Sequence, residues 1–265
     1  MTPLIKKLLA VLMLLSVAAG AGAGEHKEGK NNNWDITIGA GGIYGPVSPG
    51  VDEYEFSALP YIDIEYKNRF FIKSQYGIGA YLFRSDTGLE YAVGAAIGYD
   101  GGRDEDDASD QLQGLGDIDG SAEAILFAEI ELGPVEFGLE LAQGLNDDGH
   151  DGFRAELSAG IDKRVTDDLM LGMGPFLTYG DGQYIESYYG VTSVQAARSS
   201  IYDEYETDGG FESYGLEVNA RYMMTDHWAL TGFASYTRLM GDAKDSPIVD
   251  DAGFWGGGAF LSYTF

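Results

Sequence analysis

The chain has 265 residues, with 16 lysines and arginines against 43 aspartates and glutamates and a formal net charge of −27. Such a balance repels nucleic acid and anionic lipid surfaces. The absence of cysteine excludes disulfides, thiolate metal sites and a lipoprotein anchor.

The N-terminus reads as a secretory leader. Lys6 and Lys7 form a positive n-region, Leu8 to Ala19 an apolar stretch, and Ala21-Gly22-Ala23 a small-x-small cleavage motif. The apolar run is far shorter than the roughly 20 residues of a spanning helix. Cleavage is therefore expected between Ala23 and Gly24, with residues 1–23 the signal peptide and 24–33 a short polar tail.

From Trp34 onward the period is two, not 3.6. Trp34, Ile36, Ile38, Ala40, Gly42 and Tyr44 oppose Asp35, Thr37, Gly39 and Gly41. Ile62, Ile64 and Tyr66 oppose Asp63 and Glu65. The run Arg69 to Phe83 is long and carries Tyr76-Gly77, a tight-turn signal. Leu89, Tyr91, Val93, Ala95, Ile97 and Tyr99 oppose Glu90, Ala92, Gly94, Ala96 and Gly98. Further alternating segments cover 121–130, 135–141, 153–162, 214–222 and 228–237, and a weaker one, interrupted by Pro175, covers 169–179. The last, Phe254 to Phe265, puts Trp255, Leu261, Tyr263 and Phe265 on one face and ends on an aromatic residue. Mild average hydropathy is no objection to a membrane protein, because barrel strands alternate.

Apolar bands with aromatics near both ends fit a transmembrane antiparallel β-barrel spanning 34–265. Eleven segments are legible, and splitting Arg69–Phe83 at Tyr76-Gly77 makes twelve, the even number that keeps both termini periplasmic. The long connections 45–57, 101–119, 143–152, 180–210 and 240–253 then all fall outside. The short ones, 67–68, 84–87, 133, 163–167 and 224–226, fall in the periplasm.

Three groups of side chains carry candidate chemistry. The acidic loop 100–119, with Asp104, Glu105, Asp106, Asp107 and Asp110, offers oxygen ligands for Ca²⁺ or Mg²⁺ but lacks EF-hand spacing, and a solvated loop explains it better. Asp147, Asp148, His150 and Asp151 form a His–carboxylate group in an outer loop. A flexible Asp/Gly turn accounts for it more simply than water activation of the omptin kind. No G-x-S-x-G elbow is present. Inward faces carry Glu90, Glu123, Glu129, Glu136, Glu140, Glu156 and Glu217, candidate lumen carboxylates that would favour cations in an open pore.

Several segments go beyond a generic barrel. They are Leu59-Pro60, Tyr99–Arg103 leading to Leu112–Asp119, Tyr188–Thr192 with Gln195-Ala196, Arg238–Ala243 with Asp245–Val249, and the terminal Ser262–Phe265. In this order the chain resembles the MipA/OmpV family (MltA-interacting protein) of outer-membrane proteins. The resemblance covers nearly the whole mature chain, although Tyr189 stands where a Phe is expected.

The resemblance implies a Gram-negative outer-membrane barrel without catalytic residues, metal or cofactor. It implies a scaffold linking a lytic transglycosylase to a murein synthase; other members are porin-like or adhesive. A terminal Phe, with Leu261 and Tyr263, resembles the barrel-assembly signal of such proteins. Expected partners are outer-membrane lipid, lipopolysaccharide and periplasmic murein enzymes, with no nucleic acid, and a monomer is expected. A narrow cation-preferring channel and a surface adhesin stand as alternatives.

Overall fold

The computed structural model describes residues 33–265 apart from 109–110 and 148. The leader, its cleavage point at Ala23 and Gly24, and the tail up to residue 32 lie outside the described residues. Twelve strands follow: β1 (Trp34–Pro46), β2 (Tyr54–Tyr66), β3 (Phe70–Lys73), β4 (Gly77–Ser85), β5 (Tyr91–Asp100), β6 (Ser121–Leu132), β7 (Val135–Gly144), β8 (Phe153–Arg164), β9 (Leu169–Gly180), β10 (Gly210–Met223), β11 (Trp228–Leu239) and β12 (Gly253–Thr264). Each pairs antiparallel with its neighbours in sequence, and β1 closes on β12 from Thr37↔Thr264 to Tyr44↔Gly257. Among the described residues, no helix is long and apolar enough to cross a membrane.

Alternation becomes inside and outside. Ile38, Ile78, Ile97, Leu126, Leu157, Leu216 and Leu230 are exposed on the outer wall. Aromatics pair across strands at both of its edges. Trp34–Tyr66 and Trp228–Tyr263 sit at the end with short turns, with ring centroids 4.5 and 5.1 Å apart, and Tyr44–Tyr54 and Tyr236–Trp255 sit at the end with long loops, at 5.4 and 4.9 Å. Leu261, Tyr263 and Phe265 belong to this outer surface, the Phe265 ring against Tyr263 at 4.9 Å. Lys67 and Asn68 both have positive φ, at 54° and 48°, which makes them a primed hairpin turn between β2 and β3.

Several sequence expectations shift in detail. The long run does split, at 74–76, but β3 has only four residues. The connection read as 45–57 shrinks to 47–53. Tyr54 and Phe56 continue the outward face, and the Phe56 ring lies over Gly42 of β1. Pro175 does not interrupt β9: the register to β8 is unbroken on either side of it, and only the bridges at 174–175 drop out. A missing N–H removes one rung of a ladder without bending the strand. Glu90 stands in the turn before β5 and is exposed at the short-turn mouth, not on a strand.

β3 leaves a notch. It pairs with β2 only from Asp63 to Tyr66, and Ser74 N–H donates to the Ile62 carbonyl at its tip. Among the described residues, β2 has no strand neighbour on that side beyond Ile62. Pro60 lies on this free edge, where a residue lacking an N–H costs the ladder nothing.

Glycines on the inner face make room for rings lying flat across a narrow lumen. A side chain at Gly94 would run into the Phe127 ring, and one at Gly79 into Phe71. Phe71, Tyr76, Tyr81 and Phe127 pack together there, Tyr76 and Phe127 stacked at 4.2 Å. Gly94→Val is therefore expected to lower stability by about 1–3 kcal/mol through overpacking, and adding Phe127→Ala should restore part of it. The check is the urea midpoint of the folded band on unheated gels.

Candidate functional site

The long loops do not stand out in solvent. They fold over the mouth as a cap with its own apolar core. α1 (Gly182–Tyr189) begins at Asp181, whose Oδ1 accepts the Tyr184 N–H at 2.9 Å, and ends at Gly190, whose N–H donates to the Glu186 carbonyl. These two caps let eight residues hold as a helix. Its spacing puts Tyr184, Ile185, Tyr188 and Tyr189 on the buried side, against Ile118, Leu239 and Ala243. α2 (Ser193–Arg198) starts with a capping box between Thr192 and Gln195. A second cluster joins Val51, Ala108, Leu112, Leu115, Val191 and Ile248 from four different loops, and α3 (Gly241–Asp245) packs beside β10.

Polar contacts lock the cap. Arg103 donates from Nη1 to the Tyr188 carbonyl at 3.1 Å, Gln195 from Nε2 to the Leu115 carbonyl at 2.7 Å, and Ser246 from Oγ to the Tyr189 carbonyl at 2.6 Å. Glu105 accepts the Gly114 and Gly116 N–H groups at 2.7 and 2.8 Å. The acidic loop thus uses at least this carboxylate as internal bracing. The segments Tyr99–Arg103, Leu112–Asp119, Tyr188–Thr192 and Asp245–Val249 meet one another here.

Beneath the cap lies a cavity of about 200 Å³, bordered by Glu55, Asp100, Glu156, Glu212 and Glu217, with Arg154 the one basic residue among the described residues that line it. Tyr188 and Tyr189 hang into it, their hydroxyls donating to Asp100 and Glu212 at 2.6 Å each. Burial, reinforced by those carboxylates, raises the pKa of both phenols, so they stay protonated donors. Burial acts the other way on Arg103, lowering its pKa. A second cavity, of about 190 Å³, lies toward the short turns and holds Glu90, Glu129 and Glu136 with Lys73, Arg84 and Arg221. Lys73 bridges Glu65 at 2.7 Å and Asp63 at 3.6 Å.

The inward carboxylates thus fall into two groups. Glu123, Glu156 and Glu217 are deeply buried near the cap. Glu140 pairs with Arg154 at 2.9 Å, and Glu129 accepts the Tyr76 hydroxyl at 2.7 Å. His150 corrects the expectation of an open Asp/Gly turn. The loop 145–152 turns its ring inward until none of it is exposed, 3.3 Å from Glu123, while Asp151 accepts from Gln183 Nε2 of α1 and Asp148 lies outside the described residues. Burial pulls the His150 pKa down, but nearby Glu123 and Asp100 outweigh that and raise it. Sequence reading quoted Tyr188 and Tyr189 only as part of the resemblance, without a role, and missed Tyr184 and Glu212. The signal was there in Asp181, Thr192 and Gln195, two closely spaced helix starts around a tyrosine-rich stretch.

The family model described as "MltA-interacting protein MipA" matches residues 38–265. Among curated proteins, the MltA-interacting protein of Escherichia coli strain K12 is 27% identical over 92% of each chain. Outer membrane protein OmpV of Vibrio cholerae is 28% identical over 66% of this chain and 64% of its own. Outer membrane protein Omp26La of Vibrio anguillarum is 36% identical, with the match spanning about a third of either protein (34% of each). Among solved structures, the NanC porin is 10% identical, covering 87% of this chain and all of its own (100%), with a TM-score of 0.47.

Loss of the Arg103 guanidinium should loosen the cap without opening the barrel. A buried charge-assisted hydrogen bond is worth about 1.5–3 kcal/mol. Arg103→Ala is therefore expected to speed tryptic cleavage after the exposed Arg198 by about tenfold or more, with heat-modifiable gel mobility unchanged.

Proposed function

The chain belongs to the MltA-interacting protein MipA family and is an outer-membrane β-barrel, and from that premise we propose that it is a non-enzymatic scaffold for enzymes that synthesise and hydrolyse murein. The observation that carries the reading is the cap. A mouth filled by α1 and by an apolar core drawn from several loops suits a barrel that presents surface rather than passes solute. The name of the Escherichia coli relative supports a lytic transglycosylase as one partner. Short turns form the face a periplasmic enzyme would meet, and basic side chains are exposed there, Lys67 with Arg69 in the turn after β2 and Lys163 with Arg164 at the end of β8. An acidic patch on the partner matches them. The barrel works as a monomer among outer-membrane lipid and lipopolysaccharide, and Leu261, Tyr263 and Phe265 serve as its assembly signal.

The acidic cavity beneath the cap favours a second reading, a narrow cation-preferring channel that conducts only when the cap moves.

Immobilised folded barrel is expected to retain a periplasmic lytic transglycosylase. Glu substitutions at Lys67, Arg69, Lys163 and Arg164 together should cut retention about tenfold at low salt, with the effect fading as salt rises. No retention by the wild type sinks the scaffold. In planar bilayers the scaffold reading expects a silent wild type. Steady cation-selective conductance from intact protein would favour the channel instead.

A further inference from the structure

Loop 145–152 places His150 between Asp100, the last residue of β5, and Glu123 of β6. Their exposures are 0%, 5% and 4%. His150 Nε2 lies 3.3 Å from Glu123 Oε1 and 3.9 Å from Asp100 Oδ2, and one donor atom from each of the three falls within 4.8 Å of the others. Neither ring nitrogen of His150, nor Glu123 Oε1, makes a hydrogen bond to any described residue. A fully buried imidazole with both nitrogens unsatisfied is costly. Packing holds the ring instead: Tyr184 meets it edge-on at 5.4 Å, and a side chain at Gly144 would collide with it.

We infer that Asp100, Glu123 and His150 form a binding site for a divalent transition-metal ion, best matched by zinc. Bonds of roughly 2.0–2.2 Å in a tetrahedral shell set neighbouring donors about 3.3–3.6 Å apart. The His150–Glu123 separation already meets this, and Asp100, 3.9 Å from His150, has to draw inward toward both. Charge points the same way. Arg154 is paired with Glu140, so a dication with two carboxylates and a neutral imidazole leaves the pocket balanced. An imidazole donor disfavours Ca²⁺ and Mg²⁺, which take oxygen ligands. The Tyr188 hydroxyl holds Asp100 by its other oxygen, Oδ1, leaving Oδ2 turned to the ion. Bound metal thereby ties loop 145–152 to the β5–β6 rim and, through Tyr188, to α1. The ion is a clamp on the cap.

The test uses untagged mature protein, folded in detergent, stripped with chelator and titrated with Zn²⁺ by calorimetry. Saturable one-to-one binding is expected. His150→Gln and Glu123→Gln should each weaken it by at least about tenfold, while Asp106→Asn and Asp147→Asn, on exposed loop carboxylates, leave it unchanged. Bound zinc should slow tryptic cleavage after Arg198. X-ray absorption at the zinc edge of the wild type should find nitrogen among the ligands at about 2.0 Å, and it decides the matter even if the variants fail to fold. No saturable binding, undiminished binding in both folded variants, an all-oxygen shell, or loss of binding on replacing the histidine of the N-terminal tail (His26→Gln) would each overturn the site.

Discussion

A bilayer offers no partner to a backbone N–H, and everything in this molecule follows from meeting that demand. The β1–β12 pairing closes the ladder, so no strand edge runs the full height of the wall. Closure then dictates alternation, and alternation leaves a lumen whose lining must be polar or small. The chain fills part of that lumen with aromatic rings laid across glycines. It satisfies much of the rest by pairing, as with Lys73 between Glu65 and Asp63, or Arg154 with Glu140.

The cap answers a different problem, that of making connections behave like a core. No loop builds either buried cluster alone. Together they supply Val51, Leu112, Val191 and Ile248 to one cluster and the face of α1 to another. The buried carbonyls are met by side chains reaching across long sequence separations, as Arg103 and Ser246 do for consecutive residues of α1. Tyrosine suits this place because its ring packs while its hydroxyl finds a carboxylate. Tyr188 and Tyr189 do both.

The wall was legible in the sequence because a period of two survives wherever one side meets lipid. The split near Tyr76-Gly77 was legible too, since only an even strand count keeps every long connection on one side. Loops carry no such period. The segments around Arg103, Tyr188 and Ser246 stood out as a resemblance, yet nothing local revealed that they touch one another. His150 comes to lie beside Asp100 and Glu123 only once β5, β6 and β7 have paired, so in sequence it looked like a residue of an open turn. Pro175 misled for a related reason. Proline weakens a strand in isolation, whereas here its neighbours hold the register across the lost rung.

The stunted β3 gives this shell an unequal circumference. Near the short turns twelve strands share the load, while beyond the hairpin tip at 74–76 the path from β2 to β5 is no longer bridged by backbone hydrogen bonds from β3 and β4. A closed cylinder under stress yields where its hoop is broken. The hoop of this barrel is therefore thinnest along the free edge of β2 beside Pro60 and the four rungs of β3. The seam between the first and last strands, which looks like the weak join on paper, is reinforced along most of its height.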